Sequence, residues 1–496
     1  MKLPEYDQWD ATEMAAKVRA GELSPAELTE AAIERIEARN PQLNCVVDKL
    51  YERARERADK LPDGPFKGVP MLLKDLKLQL KGTVTTNSTK LKANERATAS
   101  SRTAERYEAA GLSVVGKSNT PEFGILGVTE PELRGPCRNP WSLDHTPGGS
   151  SGGSSSAIAA RIVPVAHAGD GGGSIRIPAS CTGLFGLKPT RGRVSQAPFR
   201  GHSWGGFVQE HTLTRTVRDS AAMLDIEDEL TRGEPYAPPR KHVESWTSNL
   251  GQDPGRLRIG FCREALYAGT THPECMAALD DAIALLQELG HEVVEAKPDY
   301  DREAMVLAYF RTVAAGTADF VTATSRAAGK SPSASDYEAP TWLLAQIGWA
   351  TTAAEYVASE GVMHQACRSV ASFFDDHDMF LTPTVAEPPL EIGALELTGS
   401  ERTQLSLLRV LNLRPLLMQA LQQLGTNALA RTPNTQLFNQ TGHPAMSVPL
   451  YWSKAGLPIG VQLAGRWARE DQLFQLAAQL ERARPWAQKL PPMLSS

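Results

Sequence analysis

Two glycine-rich loops carry the serines that could do chemistry in this chain. The first loop covers residues 147–154 and contains Ser150 and Ser151, and the second covers residues 169–174 and ends at Ser174. Runs of glycine let consecutive backbone N–H groups point the same way and form a site for an anion. A serine beside such donors has what acyl transfer needs, which is a nucleophile next to groups that stabilise an oxyanion.

Other interpretations of these loops fit less well. Flexible linkers rarely flank core elements closely, and the apolar residues 157–166 between the loops predict a buried helix and strand. A phosphate-binding loop needs a Gly-Lys-Ser/Thr ending, which neither loop has. Residues 148–152 match Gly-x-Ser-x-Gly, but residues 141–147 before them predict a loop rather than the strand that a nucleophile elbow requires.

The serines need a base, and the sequence offers three candidates. Lys74 ends the apolar run 68–73. This segment alone favours a lysine at a strand edge whose ammonium reaches solvent. A lysine buried at the end of a strand, however, can lose its charge because desolvation lowers its pKa. His443 could complete a Ser-His-Asp arrangement, although a His-Pro turn is equally typical of a structural role. His167 follows a predicted buried strand, where a hydrogen-bonded core histidine is the expected role. The spacing alone leaves open which of these residues meet in space.

The composition is that of an ordinary globular protein with a large core. The chain has 496 residues, of which 41% are apolar and 22% charged, and its net charge is −5. This charge predicts neither a nucleic-acid surface nor a polyanionic partner. The six cysteines form no Cys-x-x-Cys pair, so they indicate neither a zinc site nor a disulfide framework. We expect a cytoplasmic protein, because no apolar signal region and no run long enough to cross a bilayer is present.

Strands and helices alternate over most of the chain, which favours an α/β sheet. Two amphipathic helices precede the first strand, and the second begins at a capping box on Ser24 and is expected to end near Pro41. Four further predictions concern the C-terminal part: a helix over 401–424, a loop and strand over 438–449, a hairpin partner over 456–463 and a closing helix over 470–483.

Seven segments together resemble the signature of the amidase signature family. They are the two glycine-rich loops and residues 68–75, 116–122, 138–141, 186–190 and 439–445. The resemblance covers most of the chain. It implies an α/β fold with a large mixed, mostly parallel sheet of about eleven strands, covered by helices on both faces. It also implies that amides are hydrolysed without a metal or an organic cofactor.

The resemblance assigns roles to the residues that match the family pattern. It implies a Ser–cis-Ser–Lys triad in which Ser174 is the nucleophile, Ser150 the bridging serine after a cis peptide bond, and Lys74 the base. The implied oxyanion hole consists of the backbone N–H groups of Gly171, Gly172, Gly173 and Ser174, and the implied supporting network consists of Ser151, Asp170 and Arg176.

The second loop departs from the commonest family pattern, Gly-Thr-Asp-Thr-Gly-Gly-Ser, by having Gly169 and Gly171 in place of the threonines. Within the family, residues 128–132, 164–167 and 467–471 are most similar to hydrolases of the cyclic 6-aminohexanoate dimer, a nylon oligomer. Bacterial aryl acylamidases and urethanases are also similar, and the motifs do not separate these groups.

We therefore predict a single amidase domain over residues 1–496, composed of a helical arm (1–62), a signature core (63–225) and a C-terminal part (255–496) that completes the sheet and the pocket. The expected substrate is a small, fairly apolar amide or carbamate, and esters are a further candidate. Pocket-lining residues are expected within 300–436. The expected assembly is a monomer or homodimer, with no nucleic-acid or membrane partner.

Two other functions stay open at this point. A glutamine amidotransferase subunit of the transamidosome type would need a partner chain. A catalytically inactive binding protein would need no triad, and the presence of Lys74, Ser150 and Ser174 disfavours it.

Overall fold

The computed structural model of the protein describes residues 3–229, 231–395 and 413–494. Within these ranges the strands β1–β11 are, in order, Val46–Lys49, Pro70–Lys74, Ser113–Ser118, Val165–Asp170, Phe185–Lys188, Gln209–Thr214, Arg258–Phe261, Glu292–Glu295, Met379–Pro383, Ala445–Trp452 and Pro458–Gly465. The helices α1–α14 are Ala11–Arg19, Pro25–Leu43, Tyr51–Ala58, Arg102–Ala109, Gly152–Ala159, Arg176–Thr182, Val217–Glu227, Pro273–Glu288, Arg302–Ala327, Ala339–Ala350, Ala353–Asp376, Arg414–Asn427, Gln436–Thr441 and Glu470–Ala483. Short 3-10 helices cover Pro4–Asp7, Lys90–Lys92, Glu122–Gly124, Trp204–Gly206, Thr247–Asn249, Ala334–Asp336 and Pro492–Leu494.

All eleven strands belong to one sheet, in the order β1-β3-β2-β4-β6-β5-β10-β11-β9-β7-β8. The pairs β2–β3, β2–β4, β7–β8 and β7–β9 are parallel, and the other six are antiparallel. The α/β class and the number of strands are confirmed, whereas the expectation of mostly parallel neighbours is wrong. One reason is visible at β10 and β11, which are joined by residues 453–457, too few for the crossover that parallel strands need.

Helices cover both faces of this sheet. In β9, Phe380 packs in an apolar cluster with residues of α9, α10 and α11, whereas its neighbours Met379 and Leu381 pack in another cluster with residues of α8 and α14. Successive residues of a strand point to opposite faces of the sheet. The two clusters therefore lie on opposite sides, as the expected layered arrangement requires.

The first two helices close one end of the sheet. Ser24 forms the predicted capping box at the start of α2. The helix does not end at Pro41, however, but continues to Leu43, where Asn44 adopts a left-handed conformation and donates its N–H to Asn40 O at 2.8 Å. The following strand β1 pairs with β3, so this segment contributes a strand to the sheet.

The C-terminal predictions have mixed outcomes. The hairpin β10–β11 and the closing helix α14 are confirmed. The segment predicted as a loop and strand over 438–449 contains the short helix α13 before β10, ended by Gly442 at φ 80°. Of the helix predicted over 401–424, residues 401–412 lie outside the described residues, and α12 begins at Arg414.

Helix α9 forms part of the layer that covers the site described below. Its length and apolar composition would allow it to cross a membrane, but 67% of its most apolar stretch is buried inside the fold. This burial is typical of a core helix.

Candidate active site

Lys74, Ser150 and Ser151 form a buried hydrogen-bonded cluster. Lys74 is the last residue of β2, a strand buried along its whole length, and its Nζ donates to Ser150 Oγ at 2.7 Å and to Ser151 Oγ at 2.9 Å. The peptide bond between Gly149 and Ser150 is cis, as the resemblance implies. A Cβ on Gly149 would lie 2.6 Å from Val128 O, so only glycine fits before the first serine.

The environment of Lys74 favours its neutral form. Burial lowers the pKa of Lys74 from 10.5 to about 7, although the negative charges of Asp170 and Glu210 oppose the shift. A substantial fraction of the amine is therefore unprotonated near neutral pH. An unprotonated Nζ can accept a proton from Ser150 at the distance observed, which is the geometry that a general base requires.

The carboxylate of Asp170, at the end of β4, holds the second glycine-rich loop. It accepts the N–H groups of Gly173 at 2.7 Å and of Ile175 at 3.2 Å. Arg176 donates Nε and Nη2 to the same carboxylate, each at 2.9 Å, and both side chains are fully buried. Burial raises the pKa of Asp170, but Arg176 and Asn439 outweigh it and bring the pKa down to about 2. The loop is thus fixed by a carboxylate that stays charged.

Arg176 connects this loop to the C-terminal part of the chain. Its Nη1 donates to Thr435 O at 2.8 Å and to Gln462 Oε1 at 2.5 Å, and its Nη2 donates to Asn439 Oδ1 at 2.7 Å. Asn439 in turn donates Nδ2 to Asp170 Oδ1 at 2.8 Å. The sequence indicates Asp170 and Arg176, and Asn439 lies in a segment that carries the resemblance, but no local signal indicates Thr435 or Gln462.

The loop glycines lie against bulky side chains. A Cβ on Gly171 would be 2.8 Å from the Trp204 ring, and a Cβ on Gly172 would be 2.1 Å from the Tyr309 hydroxyl. Gly171 stands where the commonest family pattern has its second threonine. The Trp204 ring therefore fills the space that the threonine side chain would need. Neither aromatic residue is indicated by the sequence, because each comes from a distant element.

One of the four N–H groups of the predicted oxyanion hole already has an acceptor. The N–H of Gly173 donates to Asp170 Oδ1 at 2.7 Å, so it holds the loop in shape. In the described part of the chain, the N–H groups of Gly171, Gly172 and Ser174 donate to no other backbone group. These three remain as candidate donors to an oxyanion.

Ser174 lies just before α6, is half-buried and lines the same small cavity, of about 30 Å³, as Lys74 and Ser150. The structure thus brings the three residues of the predicted triad to one cavity. Among the described hydrogen bonds, none joins the hydroxyls of Ser150 and Ser174. Catalytic hydrogen bonds are often long or poorly aligned before substrate binds.

Of the two candidate histidines, one lies at this cavity. His167 lines it, with Nε2 3.5 Å from Glu210 Oε2, and its ring nitrogens have no hydrogen-bond partner among the described residues. The expectation of a hydrogen-bonded core histidine is therefore wrong. His443 does not line the cavity but stacks on Phe374, and burial lowers its pKa to about 3. Within the described ranges, no cluster of three or more His, Cys, Asp or Glu residues could hold a metal ion.

A second cavity of about 180 Å³ adjoins the first. Lys77, Phe123 and Glu210 line both. An apolar cavity of roughly 150 Å³ holds benzene, so this space suits a ring or a short chain. Residues 320–327 of α9 fall in the expected pocket region, whereas the other lining residues precede residue 211 and were not anticipated.

Known proteins are similar to this chain in sequence and in fold over nearly its whole length. The profile of the family described as Amidase matches residues 27–474. The 6-aminohexanoate-cyclic-dimer hydrolase of Paenarthrobacter ureafaciens is 36% identical, covering 99% of this chain and 98% of that protein. A structure of 6-aminohexanoate cyclic dimer hydrolase has a TM-score of 0.90 at 35% identity, covering 99% of this chain and 100% of that one. A bacterial aryl acylamidase of the amidase signature family has a TM-score of 0.85 at 29% identity, covering 97% of each chain.

Proposed function

We propose, from the premise that this chain belongs to the amidase family and is a hydrolase acting on amides, that it works through a Ser–cis-Ser–Lys triad and an acyl-enzyme. The observation that carries the proposal is the 2.7 Å hydrogen bond between Lys74 and Ser150 in a cavity that Ser174 also lines. The proposed roles are those of base for Lys74, proton carrier for Ser150 and nucleophile for Ser174.

In the acylation step, the Ser150 hydroxyl passes its proton to the neutral Nζ of Lys74, which becomes an ammonium. Ser150 Oγ receives the proton of Ser174 as Ser174 Oγ forms a bond to the amide carbonyl carbon. The π electron pair of the carbonyl moves to its oxygen, which accepts hydrogen bonds from the loop N–H groups. The loss of one such donor typically costs about 2.7–4 kcal/mol of transition-state stabilisation.

The tetrahedral intermediate then collapses by breaking the C–N bond. Ser150 gives its proton to the departing nitrogen and regains one from the Lys74 ammonium, so the amine leaves uncharged. Water attacks the acyl-enzyme by the same proton route, the acid is released and Ser174 is restored.

The larger cavity supports a small, fairly apolar substrate. Phe123, Phe199 and Phe320 supply aromatic faces beside the polar lining. We include aryl amides and cyclic amides in the proposal, since relatives are named for such substrates. Carbamates and esters present the same carbonyl carbon to Ser174, and we include them as further substrates.

We also propose a cytoplasmic monomer or homodimer that forms a single domain and has no nucleic-acid or membrane partner. The six cysteines support the cytoplasmic location, because all are free and five of them are buried, as suits a reducing compartment.

A panel of five substrates tests the proposal: an aryl anilide, a linear aliphatic amide, the cyclic 6-aminohexanoate dimer, an O-aryl carbamate and glutamine. Turnover of any of the first four, with fluorophosphonate labelling of Ser174, supports it. Turnover of glutamine alone would favour an amidotransferase subunit instead. A protein that turns over none of them and takes no label would be an inactive binding protein.

The rate should rise with pH through neutrality. Lys74 acts as a base only when unprotonated, so below its pKa of about 7 we expect kcat/KM to fall about tenfold per pH unit. The measurement is a pH profile with an uncharged anilide. Burial also lowers the pKa of Lys77 to about 7, so titration of Lys77 would give the same pH dependence. We therefore expect the variant Lys77→Met to keep the fall in kcat/KM at acid pH. A flat profile from about pH 5 to 8 would contradict the role of Lys74.

Gly172→Ala should lower kcat by about 10²–10³-fold, because the new methyl group would meet the Tyr309 hydroxyl and displace the loop N–H groups. The rate of anilide hydrolysis measures the effect. Adding Tyr309→Phe removes the hydroxyl and should restore part of the rate. Gly361→Ala is the matched control, since its Cβ would enter open space on α11. Equal losses in the single and double variants would show that this contact does not set the loop geometry.

A further inference from the structure

Lys77 is a cation at the junction of the two cavities. It lines both of them, and its Nζ lies 3.9 Å from the centre of the Phe320 ring and 5.4 Å from that of Trp204. Within the described part of the chain, its side chain forms no ion pair and donates no hydrogen bond. The direct contacts described for its ammonium are therefore with aromatic faces.

Such a cation is poorly compensated. Removing an ammonium from water is costly unless an anion or several acceptors replace the water, and aromatic faces do so only in part. Burial lowers the pKa of Lys77 to about 7, and the nearby Arg200 adds to the effect. An anion entering the cavity would stabilise the protonated amine.

A second cation lies near the same ring. The guanidinium of Arg200 is 4.4 Å from the centre of Phe320, and Arg200 lines the larger cavity. Its only carboxylate partner among the described residues is the exposed Asp319, at 3.3 Å. Two of the cations that line the larger cavity, Lys77 and Arg200, thus lie around one aromatic ring.

The described acidic residues of the cavity compensate this pair of cations only in part. Glu95 is paired with Lys92 at 3.5 Å. Glu210 lies at the junction, where its charge partly opposes the fall in the pKa of Lys77, but its carboxylate is next to His167 Nε2, at 3.5 Å. A carboxylate in the larger cavity would therefore meet a positive environment beside Phe320.

We infer that Lys77, together with Arg200, binds a carboxylate carried by the substrate, which occupies the larger cavity while the scissile amide lies at Ser174. The inference rests on the proposed function and adds a carboxylate to the small, fairly apolar substrate proposed there. The preferred amides carry an acid group that a short chain or a ring separates from the scissile bond. Phe123 and Phe320 pack against that spacer.

Two matched substrate pairs test this inference, one for each side of the amide. The first pair is the mono-4-nitroanilide of adipic acid and the 4-nitroanilide of 6-methylheptanoic acid, in which an isopropyl group replaces the carboxylate. The second pair is 4-acetamidobenzoate and 4-isopropylacetanilide. The readout is the ratio of kcat/KM for the acid to that for its isopropyl analogue.

We expect the wild-type ratio to exceed about 10 in at least one pair, mainly because the acid has the lower KM. In Lys77→Met the ratio should fall at least tenfold. Lys77→Arg should keep part of the preference. Lys81→Met is the control, because Lys81 is exposed and lines neither cavity. A ratio near one in both pairs, or an unchanged ratio in Lys77→Met, overturns the inference.

The outcomes separate this inference from the proposed function. Turnover of the isopropyl compounds without a preference for acids refutes only the carboxylate site. If none of the four compounds is hydrolysed, calorimetry with Ser174→Ala measures their dissociation constants. The preference is then the dissociation constant of the isopropyl analogue divided by that of the acid. Circular dichroism shows whether each variant is folded, and the wild-type ratio tests the inference without any variant.

Discussion

Ser174→Ala is expected to abolish amide turnover, with a fall in kcat of roughly 10⁴–10⁶-fold. Among the described residues that line the catalytic cavity, Ser150 carries the only other hydroxyl, and it is hydrogen-bonded to Lys74. The measurement is the single-turnover rate with an anilide, together with the mass of the protein after fluorophosphonate treatment. The wild type should gain one adduct and the variant none.

The matched control is Ser155→Ala in helix α5. Ser155 is also a buried serine, but its Oγ donates only to the carbonyl oxygens of Pro147 and Gly152, and it does not line the catalytic cavity. It should keep the wild-type rate within about threefold. Substantial turnover by Ser174→Ala would remove Ser174 from the role of nucleophile.

Arg176→Met should lower the free energy of unfolding by about 3–5 kcal/mol and also reduce activity strongly. The substitution leaves the Asp170 carboxylate fully buried without its cation, and it removes the donors to Thr435, Gln462 and Asn439. Urea denaturation followed by tryptophan fluorescence measures the loss of stability.

The double variant Asp170→Asn/Arg176→Met distinguishes the effect of an uncompensated buried charge on stability from the effect of a distorted loop on activity. It removes both members of the ion pair, so it should be more stable than Arg176→Met alone. Its activity should stay low, because the loop still lacks the carboxylate that accepts the Gly173 N–H. If the double variant were the less stable of the two, the uncompensated charge would not be the cause of the loss.

Features that depend on residues close in sequence were predicted well. The capping box at Ser24 needs only Glu27, three positions later, and the closing helix α14 has an amphipathic period that is visible in its own residues. Helix α13 was missed because all six of its residues are buried, so it shows no alternation of apolar and polar faces.

The remaining features depend on contacts between distant parts of the chain. A lysine after an apolar strand is unusual, but the segment alone favoured a solvent-reaching side chain, and the family pattern assigned Lys74 its role and its partners. The bonds from Arg176 to Thr435 and Gln462 join residues 259 and 286 positions apart, and the fit of Tyr309 against Gly172 depends on how α9 lies over the loop. Such contacts follow from the packed fold and leave no local pattern in the sequence.

The buried connections of Arg176 have a consequence for the protein during its synthesis. The loop that carries Ser174 lies in the first two fifths of the chain, but three of the groups that Arg176 binds come from residues 435–462. A nascent chain that has exposed both serines and Lys74 to the cell therefore still lacks the partners that shape the loop. We expect ribosome-bound chains to stay inert toward amides until β11 has emerged.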